Sequence, residues 1–520
     1  MGEKNQIKTY NIGMDELIWY SNISRVGDDL AIRGFDADGK EVFKKVPYSP
    51  TLFVEHTKDY GFTNIYGRSL KPISFETMRE AYDFGKSHKD SNMKVYGNPN
   101  FYNQFAMETF ADSADKWDKS KLRIFNIDIE VTSLDGSNNG FPEATDAAVP
   151  VSAICIHDYK TDKFITFGIG RWDASKSILE DKDLLKKVVF VECRSELDLF
   201  ARFLEFWQKF PPNIVTGWNI ESFDMPYLHN RMVNLGLKPQ KLSPWGIVKP
   251  RTFRTVRGEE IAIDILGVDI IDYIALYRKN KIQESYRLDH IASVELGENK
   301  LDYSETAGLH NLYKNNFQKF IDYNIQDVNL VSRLDKKMGL LDAQIVIAYT
   351  SCLNYADVQS PVRTWDALIT KEMMPLKQIP PYHLTMDHSD GSIPGGFVKD
   401  PQVGKHGWCM SFDVTSLYPS LIRMFNISPE TILDGYKAWP SDDNLKRIER
   451  MLNKEPMSDK PEHYVVAASG FAFDTRTVGI IPKIMGQLFN QRKAFKKQMI
   501  QKQQLLQELI AEKNRRKTSI

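Results

Sequence analysis

The chain has 520 residues, of which 42% are hydrophobic and 26% charged, and 68 basic side chains balance 68 acidic ones. This length is too great for a single hydrophobic core, so we expect several globular domains. No apolar run approaches the length of a membrane span, so we expect no membrane-spanning segment. Residues 483–520 are basic, with ten basic and two acidic side chains. Such a segment favours contact with nucleic acid, although a solvated charged tail is an equally good interpretation.

The four cysteines are far apart and form no CxxC pair. We therefore expect neither a zinc site nor a disulfide framework, and a reducing cytosol is the natural setting. The N-terminal residues contain no signal-peptide core, which agrees with that setting.

The first predicted elements are short strands and turns, including a hairpin with the loop DADGK at residues 36–40. Strands then alternate with helices from residue 122 to about residue 340, which indicates an α/β domain. RIFNIDIEV and SAICIHDY are predicted strands, and SELDLFARFLEFWQKF has the apolar spacing of a helix that ends before Pro211.

The segment 315–339 is a predicted amphipathic helix, whose apolar face carries Phe317, Phe320, Ile321, Ile325 and Val328. A loop rich in Pro, His and Gly at residues 379–396 is a candidate domain boundary. After it we expect a strand that ends at Asp413, a polar stretch, and one long helix from Pro482 onward.

Two carboxylates lie two residues apart on the first of these predicted strands. Because side chains alternate along a strand, Asp128 and Glu130 point to one face, with Cα atoms about 6–7 Å apart. Ile127 and Ile129 then point into a core. A half-exposed strand whose acids face water explains this segment equally well when it is taken alone.

Further acids follow at a predicted turn and on the predicted helix. Asp224 lies near a strand-to-helix turn, where an aspartate that caps the helix is the simpler interpretation. Tyr323 and Asp327 are four residues apart and share one helix face, which is a common surface arrangement. Together, acids from a strand, a turn and a helix can converge on two Mg²⁺ ions about 3.5–4 Å apart and support phosphodiester hydrolysis.

Three segments resemble the exonuclease motifs of family B DNA polymerases and occur in that family's order: FNIDIEVTS, GWNIESFDMPY and YNIQD. The similarity is greatest to the T-even-type phage branch. It implies a ribonuclease-H-like 3′→5′ proofreading exonuclease domain. The implied metal ligands for two Mg²⁺ ions, or Mn²⁺ in their place, are Asp128, Glu130, Asp224 and Asp327, and Tyr323 would assist catalysis.

Two further segments agree with contact to a DNA primer-template. Residues 245–267 alternate like a hairpin with a turn at Arg257–Gly258, and the resemblance implies a role in separating primer from template. An ordinary structural hairpin is the alternative. Gly395 and Gly396 resemble a small-residue motif between exonuclease and palm, where glycine allows the backbone to approach the template strand closely.

The stretch SFDVTSLYPS resembles the first palm motif of the same family. This implies that Asp413 and the Val414 carbonyl bind metal, and that Ser416 and Leu417 bind a deoxynucleoside triphosphate through backbone amides. Tyr418 would stack under the sugar. A buried strand end with a capping aspartate is the alternative interpretation.

The stretch FNQRKAFKKQ places Arg492 and Lys496 on one face of the long predicted helix. A planar guanidinium and a point charge together suit a triphosphate. The resemblance assigns this helix to the fingers, and a basic helix surface without a ligand is the alternative.

The fold class implied by the resemblance is α/β and multi-domain, with a mixed α+β N-terminal domain ahead of the exonuclease. The expected division is an N-terminal domain at residues 1–121, the exonuclease at 122–340, a return segment to the N-terminal domain at 341–393, a partial palm at 394–478 and the first fingers helix at 479–520.

The sequence departs from the family because it contains no YGDTDS-like turn with a second palm aspartate, no second fingers helix and no thumb. Asp413 alone cannot hold two metal ions against the charge of a triphosphate. We therefore expect the N-terminal subunit of a split phage replicative DNA polymerase, whose partner polypeptide supplies the remaining fingers, palm and thumb. A truncated chain is the alternative explanation.

The expected partners are a DNA primer-template, deoxynucleoside triphosphates, the second polypeptide and, through that polypeptide, the replisome sliding clamp. RNA is a further candidate, because relatives in the T-even branch bind their own messenger RNA. The expected location is the cytoplasm of the infected host cell. A stand-alone 3′→5′ DNA exonuclease and a nucleic-acid-binding regulator with a non-catalytic palm are the alternative functions.

Overall fold

The structure is a computed structural model that describes residues 17–89, 91–113, 115–131, 142–255, 258–301, 309–382, 399–414, 416–433, 446, 449–450, 453–455, 462–467 and 471–518. The chain forms two compact units. Unit 1 contains Met1–Pro50, Phe75–Tyr82 and Asn100–Ala367, and unit 2 contains Thr51–Ser74, Asp83–Pro99 and Leu368–Ile520. Both units mix helices with strands, which confirms the expected α/β multi-domain class, whereas the finer division into five segments stays a prediction.

The strands of unit 1 form an N-terminal sheet, a larger sheet and a hairpin. They are β1 (Trp19–Val26), β2 (Asp29–Phe35), β3 (Glu41–Pro47), β8 (Ile124–Val131), β9 (Val151–Asp158), β10 (Lys163–Ile169), β11 (Val188–Cys193), β12 (Ile214–Gly217), β13 (Val248–Thr255), β14 (Gly258–Ile265) and β15 (Asp269–Asp272). The strands of unit 2 are β4 (Thr51–Glu55), β5 (Phe62–Thr63), β6 (Ser69–Ser74), β7 (Val95–Tyr96), β16 (Tyr464–Val466) and β17 (Ala472–Asp474).

The described residues also form α-helices. They are α1 (Met78–Ser87), α2 (Phe101–Phe110), α3 (Lys182–Leu185), α4 (Glu196–Lys209), α5 (Asp224–Asn234), α6 (Tyr273–Asn280), α7 (Leu288–Leu296), α8 (Leu309–Asn315), α9 (Phe317–Met338), α10 (Leu340–Ser351), α11 (Pro361–Met373), α12 (Leu417–Met424) and α13 (Ile480–Thr518). No helix of the described segments combines the length and the apolar character that crossing a bilayer requires.

The larger sheet of unit 1 has the order β11-β10-β9-β8-β12-β15. Its central strand, β8, pairs antiparallel with β9 and parallel with β12. One face packs on α4 and α5 through a core that includes Ile127, Ile129 and Phe203, and α9 packs on the other face through Phe320 and Ile325. The predicted strands in this region and the predicted helix at α9 are therefore confirmed.

The turns and helix ends of unit 1 follow from local sequence. Ser195 caps α4 by accepting a hydrogen bond from the Asp198 amide at 3.3 Å, and the double proline at Pro211 comes just after its end. The predicted hairpin is formed by β13 and β14, in which Thr255 pairs with Gly258. Arg257, in the predicted turn, lies outside the described residues.

Unit 2 contains a four-stranded antiparallel sheet in the order β5-β6-β4-β7 and a separate pair, β16 with β17. The long helix α13 confirms the helix predicted from Pro482 onward. The prediction of a strand that ends at Asp413 is wrong, since residues 399–414 contain no strand. A strand requires backbone pairing with a neighbour, and no described segment pairs with this one.

A buried arginine joins the N-terminal sheet of unit 1 to the larger sheet. The side chain of Arg33 on β2 is fully buried, and its Nε donates to Glu41 Oε1 at 2.8 Å. Its guanidinium also donates to the carbonyl oxygens of Pro211 at 2.7 Å and Gly267 at 2.8 Å, and to that of Pro212. These bonds compensate the loss of hydration that burial of the charge entails.

Replacement of this arginine should destabilise unit 1. Arg33→Met removes the guanidinium that donates to three carbonyl oxygens and leaves Glu41 without its cationic partner, so we expect the free energy of unfolding to fall by about 3–5 kcal/mol. Urea unfolding followed by circular dichroism measures this change. Arg25→Met is the matched control, because Arg25 pairs with Asp28 at 3.6 Å on the exposed surface and should change stability by less than about 1 kcal/mol. Equal effects of the two substitutions would contradict the assignment.

Candidate active site

The first two acids lie on the central strand of the larger sheet. Asp128 and Glu130 are opposite Cys155 and Ala153 of β9, and both point to the face that α9 covers. Asp128 is partly buried and Glu130 is buried. The alternation of β8 thus produces the shared face that the sequence predicts.

The third acid is the first residue of α5. Asp224 is buried, and its Oδ1 accepts a hydrogen bond from the amide of Ile129 at 3.1 Å. Ile129 lies between Asp128 and Glu130, so this bond brings Asp224 directly to the acidic part of β8. The predicted strand-to-helix turn is confirmed, because β12 ends at Gly217 before α5 begins.

The fourth acid comes from α9, which also supplies a tyrosine and an amide. Tyr323 and Asp327 are both buried. The Nδ2 atom of Asn324 donates to Asp128 Oδ2 at 2.7 Å. Carboxylate oxygens of Asp128, Glu130 and Asp327 all lie within 4.8 Å of one another. β8 and α9 therefore bring three carboxylates together, and the bond to the Ile129 amide holds Asp224 of α5 beside them.

The carboxylates resist ionisation in this setting. Burial, together with the charges of Asp224 and Glu130, raises the pKa of Asp128 well above its usual value. Burial and the charge of Asp327 raise the pKa of Glu130 to about 8, and burial raises the pKa of Asp224 to about 7. Burial also raises the pKa of Asp327, although the neighbouring Lys300 opposes the shift. Loss of hydration on burial is the common and largest cause, and repulsion between neighbouring carboxylates adds to it at Asp128 and Glu130.

Lys300 is the basic member of this group and was not predicted from the sequence. Its ammonium contacts Asp327 Oδ2 and the hydroxyl of Tyr323, the latter at 3.1 Å. The Lys300 amide donates to Asp289 Oδ1 of α7 at 2.7 Å, which fixes the backbone at this position. No local pattern around Lys300 distinguishes it from a surface lysine, so only the three-dimensional contacts identify it.

The group has the properties of a site for divalent cations. If all four acids are ionised, Lys300 neutralises one of four negative charges and three remain. Within the described residues, Oδ1 of Asp327 and Oδ1 of Asn324 are buried without a hydrogen-bond partner. Buried oxygen atoms with surplus negative charge are the donors that Mg²⁺ and Mn²⁺ prefer.

The predicted polymerase residues lie in unit 2 and are largely exposed. Asp413 is exposed in a segment without strand pairing, and the exposed fraction is 60% for Val414 and 75% for Tyr418. Ser416, with a φ of 53°, precedes α12, and Leu417 is its first residue. Within the described part of the chain, Asp413 belongs to no group of three or more metal-ligating side chains.

The remaining predicted residues are on α13, at the hairpin, or outside the described residues. Arg492 and Lys496 are both exposed on α13. Gly258 is the first residue of β14 and has a φ of 125°, a region that glycine adopts without strain. Gly395 and Gly396 lie outside the described residues, as Arg257 does.

Two protein-family models match the chain, and both describe DNA polymerase family B. The model of the family's exonuclease domain matches residues 74–291, and the model of DNA polymerase family B matches residues 366–517. The first range contains the acids of β8 and α5, and the second contains the exposed residues of unit 2. Lys300, Tyr323 and Asp327 lie between the two matched ranges, so the family models do not bear on them, and the structure brings them to the acids of β8.

Similar proteins include two phage enzymes. The DNA-directed DNA polymerase of Enterobacteria phage T4 is 32% identical over 502 residues, covering 92% of this chain and 54% of the relative. The DNA-directed DNA polymerase of Escherichia phage RB69 is 31% identical over 505 residues, covering 93% of this chain and 54% of the relative. The DNA polymerase catalytic subunit of Psittacid herpesvirus 1 is 29% identical over 356 residues, 63% of this chain and 32% of the relative.

The chain spans about half the length of the phage relatives that it matches. Its similarity to them nevertheless extends through both units, and each matched family model falls on one of the two groups of predicted site residues. The two matches together account for more than half of the sequence. The chain belongs to DNA polymerase family B.

Proposed function

We propose that this chain is the N-terminal subunit of a phage replicative DNA polymerase and carries its 3′→5′ proofreading exonuclease. The observation that supports this most directly is the convergence of carboxylates from β8, α5 and α9 at one buried place. The reaction would remove the 3′-terminal nucleotide of a primer by hydrolysis of its phosphodiester bond. The proposed metal ligands are Asp128, Glu130, Asp224 and Asp327.

The protein side chains would orient the reacting groups. A pair of divalent cations in such a site supplies an activated water and stabilises the leaving oxygen. Asn324 holds the carboxylate of Asp128, and the Ile129 amide holds that of Asp224. Burial and the charge of Asp327 raise the pKa of Tyr323, so its phenol stays protonated beside the acids and would help to position the attacking water.

Unit 2 would supply half of a polymerase site. Asp413 and the Val414 carbonyl are the proposed metal ligands. The first turn of α12, at Ser416 and Leu417, presents backbone amides of the kind that bind phosphate at helix N-termini. Tyr418 would lie under the sugar of the incoming deoxynucleoside triphosphate. Arg492 and Lys496 on α13 would contact its triphosphate.

Two exposed apolar surfaces of unit 2 favour the binding of a protein partner. Trp408, Met410, Phe412 and Val414 occupy alternate positions of residues 408–414 and are between 60% and 103% exposed. On α13, several apolar side chains are at least half exposed, namely Phe495, Met499, Leu505, Leu506, Leu509 and Ile510. Apolar side chains in such number favour burial against another protein surface. We propose that a second polypeptide with the remaining fingers, palm and thumb covers both surfaces.

This polypeptide would also provide the second palm carboxylate and the contact with the replisome sliding clamp. Primer-template DNA would approach the exonuclease near the β13–β14 hairpin, where Arg257 and Gly258 form the predicted turn, and Gly395 and Gly396 would contact the template. The proposed place of action is the cytoplasm of the infected host cell. RNA is a further proposed ligand.

Removal of two acids should abolish excision. Asp128→Ala combined with Asp224→Ala removes two of the four proposed ligands. Loss of a residue that only orients a metal ligand lowers activity about 10- to 100-fold. We expect the double substitution to lower the excision rate by more than that. Shortening of a 5′-labelled single-stranded DNA in the presence of Mg²⁺ measures the activity. Asp183→Ala is the control, because Asp183 pairs with Lys186 at 2.8 Å on the exposed surface. Excision that survives in the double variant would contradict the assignment.

The acidic group should make stability depend on pH when no metal is present. The folded-state pKa of Glu130 is about 8 against a usual value of 4.5, so the folded chain retains a proton that the unfolded chain releases. The retained proton stabilises the folded chain. Its contribution to the free energy of unfolding is complete below about pH 4.5 and is lost as the pH rises to about 8. We therefore expect the thermal midpoint of the wild type, relative to Glu130→Gln, to fall between pH 5 and pH 8.

Divalent metal should reverse this dependence, because ionised carboxylates bind it and protonated ones do not. Calorimetry with and without Mg²⁺ should give a larger stabilisation at pH 8 than at pH 5, and a smaller one in Glu130→Gln. A metal-free midpoint that rises relative to Glu130→Gln over this range would count against the raised pKa. Equal stabilisation at both pH values would count against metal binding by these acids.

Primer extension should require the second polypeptide. We expect the chain alone to extend no primer, and a mixture with a polypeptide that carries the remaining fingers, palm and thumb to do so. Asp413→Asn in the mixture should stop extension while excision continues, since the two groups of residues lie in different units. A mixture that binds DNA and excises but never extends would favour a stand-alone exonuclease. Extension by the chain alone would contradict the proposal of a divided site.

A further inference from the structure

Asp272 is a buried acid that none of the motifs includes. It is the last residue of β15 and lies opposite Gly217, the last residue of β12. Its side chain is 4% exposed. The loop that leads from β12 to Asp224 begins directly beside it, so the carboxylate borders the segment that presents one of the proposed ligands.

The carboxylate of Asp272 accepts three backbone hydrogen bonds. One comes from the Ile274 amide at 3.0 Å and caps α6. The other two come from the loop, from the amide of Asn219 to Oδ1 at 3.1 Å and from the amide of Glu221 to Oδ2 at 3.2 Å. Two of the three bonds therefore hold a segment that does not belong to the capped helix.

The held loop has a constrained backbone. Asn219 has a φ of 67°, a left-handed conformation that is unfavourable for residues other than glycine. At Gly217 a Cβ atom would lie 2.5 Å from the carbonyl oxygen of Ile127, so the chain passes very close to β8. A backbone of this kind persists only where its surroundings hold it in place.

The loop is directly connected to the first turn of α5. The amide of Phe223 donates to the carbonyl of Asn219, and the amide of Met225 donates to that of Ile220, both at 3.1 Å. Asp224 lies between these two donors, and its own carboxylate accepts from Ile129 at 3.1 Å. A shift of the loop would therefore move Asp224 away from the other acids.

We infer that Asp272 is a positioning residue for the metal centre, which holds the turn at Asn219–Glu221 so that Asp224 remains beside β8. This inference rests on the proposed function, because Asp224 acts there as a metal ligand. A role limited to capping α6 is the competing explanation. The two explanations differ in whether loss of the Asp272 carboxylate changes the affinity for metal.

The test is Mn²⁺ binding to the full chain, measured by isothermal titration calorimetry well below the unfolding temperature. Asp272→Asn keeps the shape of the side chain but replaces one acceptor oxygen with an NH₂ group. This group cannot accept a hydrogen bond from a backbone amide of the loop. We expect Mn²⁺ to bind about 10- to 100-fold more weakly, as for other residues that support a metal ligand. Excess Mn²⁺ should restore the excision kcat, with little change in the KM for DNA.

Asp269→Asn is the matched control. Asp269 lies on the same strand, is 6% exposed, and accepts backbone hydrogen bonds from Tyr355 and Ala356, which are outside the loop. This substitution should lower the thermal midpoint and leave the Mn²⁺ affinity unchanged. The inference is overturned if Asp272→Asn binds Mn²⁺ like the wild type, or if Asp269→Asn weakens binding by the same factor.

A second variant tests the loop without touching Asp272. Asn219→Ala retains every backbone donor and the cap of α6, but alanine tolerates the left-handed φ less well than asparagine does. It should also weaken Mn²⁺ binding, and an unchanged affinity would overturn the inference even where Asp272→Asn fails to fold. Failure of the proposed function gives a different result, since Mn²⁺ would then bind the Asp128→Ala, Asp224→Ala double variant as tightly as the wild type.

Discussion

The burial of four neighbouring carboxylates, together with the repulsion among them, is the constraint on which the candidate active site of unit 1 depends. Each of these groups loses hydration and faces like charges, so the unfolded chain would separate them. The folded chain opposes this with one lysine, one amide side chain and the backbone amide of Ile129. When all four acids are ionised, these partners leave a net negative charge, and a divalent cation would complete the compensation.

The constraint explains why the acids are carried by regular secondary structure. β8 is a central strand with a neighbour on each side, and α9 is anchored by a continuous apolar face. Rigid elements of this kind keep ligands in place against repulsion, as a mobile loop could not. Asp224 is the exception in that a loop leads to it, and that loop is the segment that Asp272 holds.

Local patterns predicted the elements and the direction of most acidic side chains. The alternation in β8 predicted the shared face of Asp128 and Glu130, and the spacing in α9 predicted that of Tyr323 and Asp327, because both depend only on backbone geometry. Lys300 and Asp272 were not predicted, since their partners are distant in sequence. The strand at Asp413 was predicted wrongly because an apolar run describes a segment able to pair, whereas pairing also requires a neighbour.

The contacts of Arg33 have an evolutionary consequence. Its guanidinium binds carbonyl oxygens of the main chain at residues 211, 212 and 267, and every amino acid has such an oxygen. Sequence changes at positions 211 and 212 can therefore accumulate without loss of the contact, provided that the backbone path is kept. Position 267 has less freedom because its φ of 84° favours glycine. These contacts thus require arginine at position 33, whereas their partners need only keep the path of the backbone. Asn213 adds side-chain bonds between the same two parts of unit 1, to Ser21 at 3.1 Å and to Glu41 at 2.8 Å.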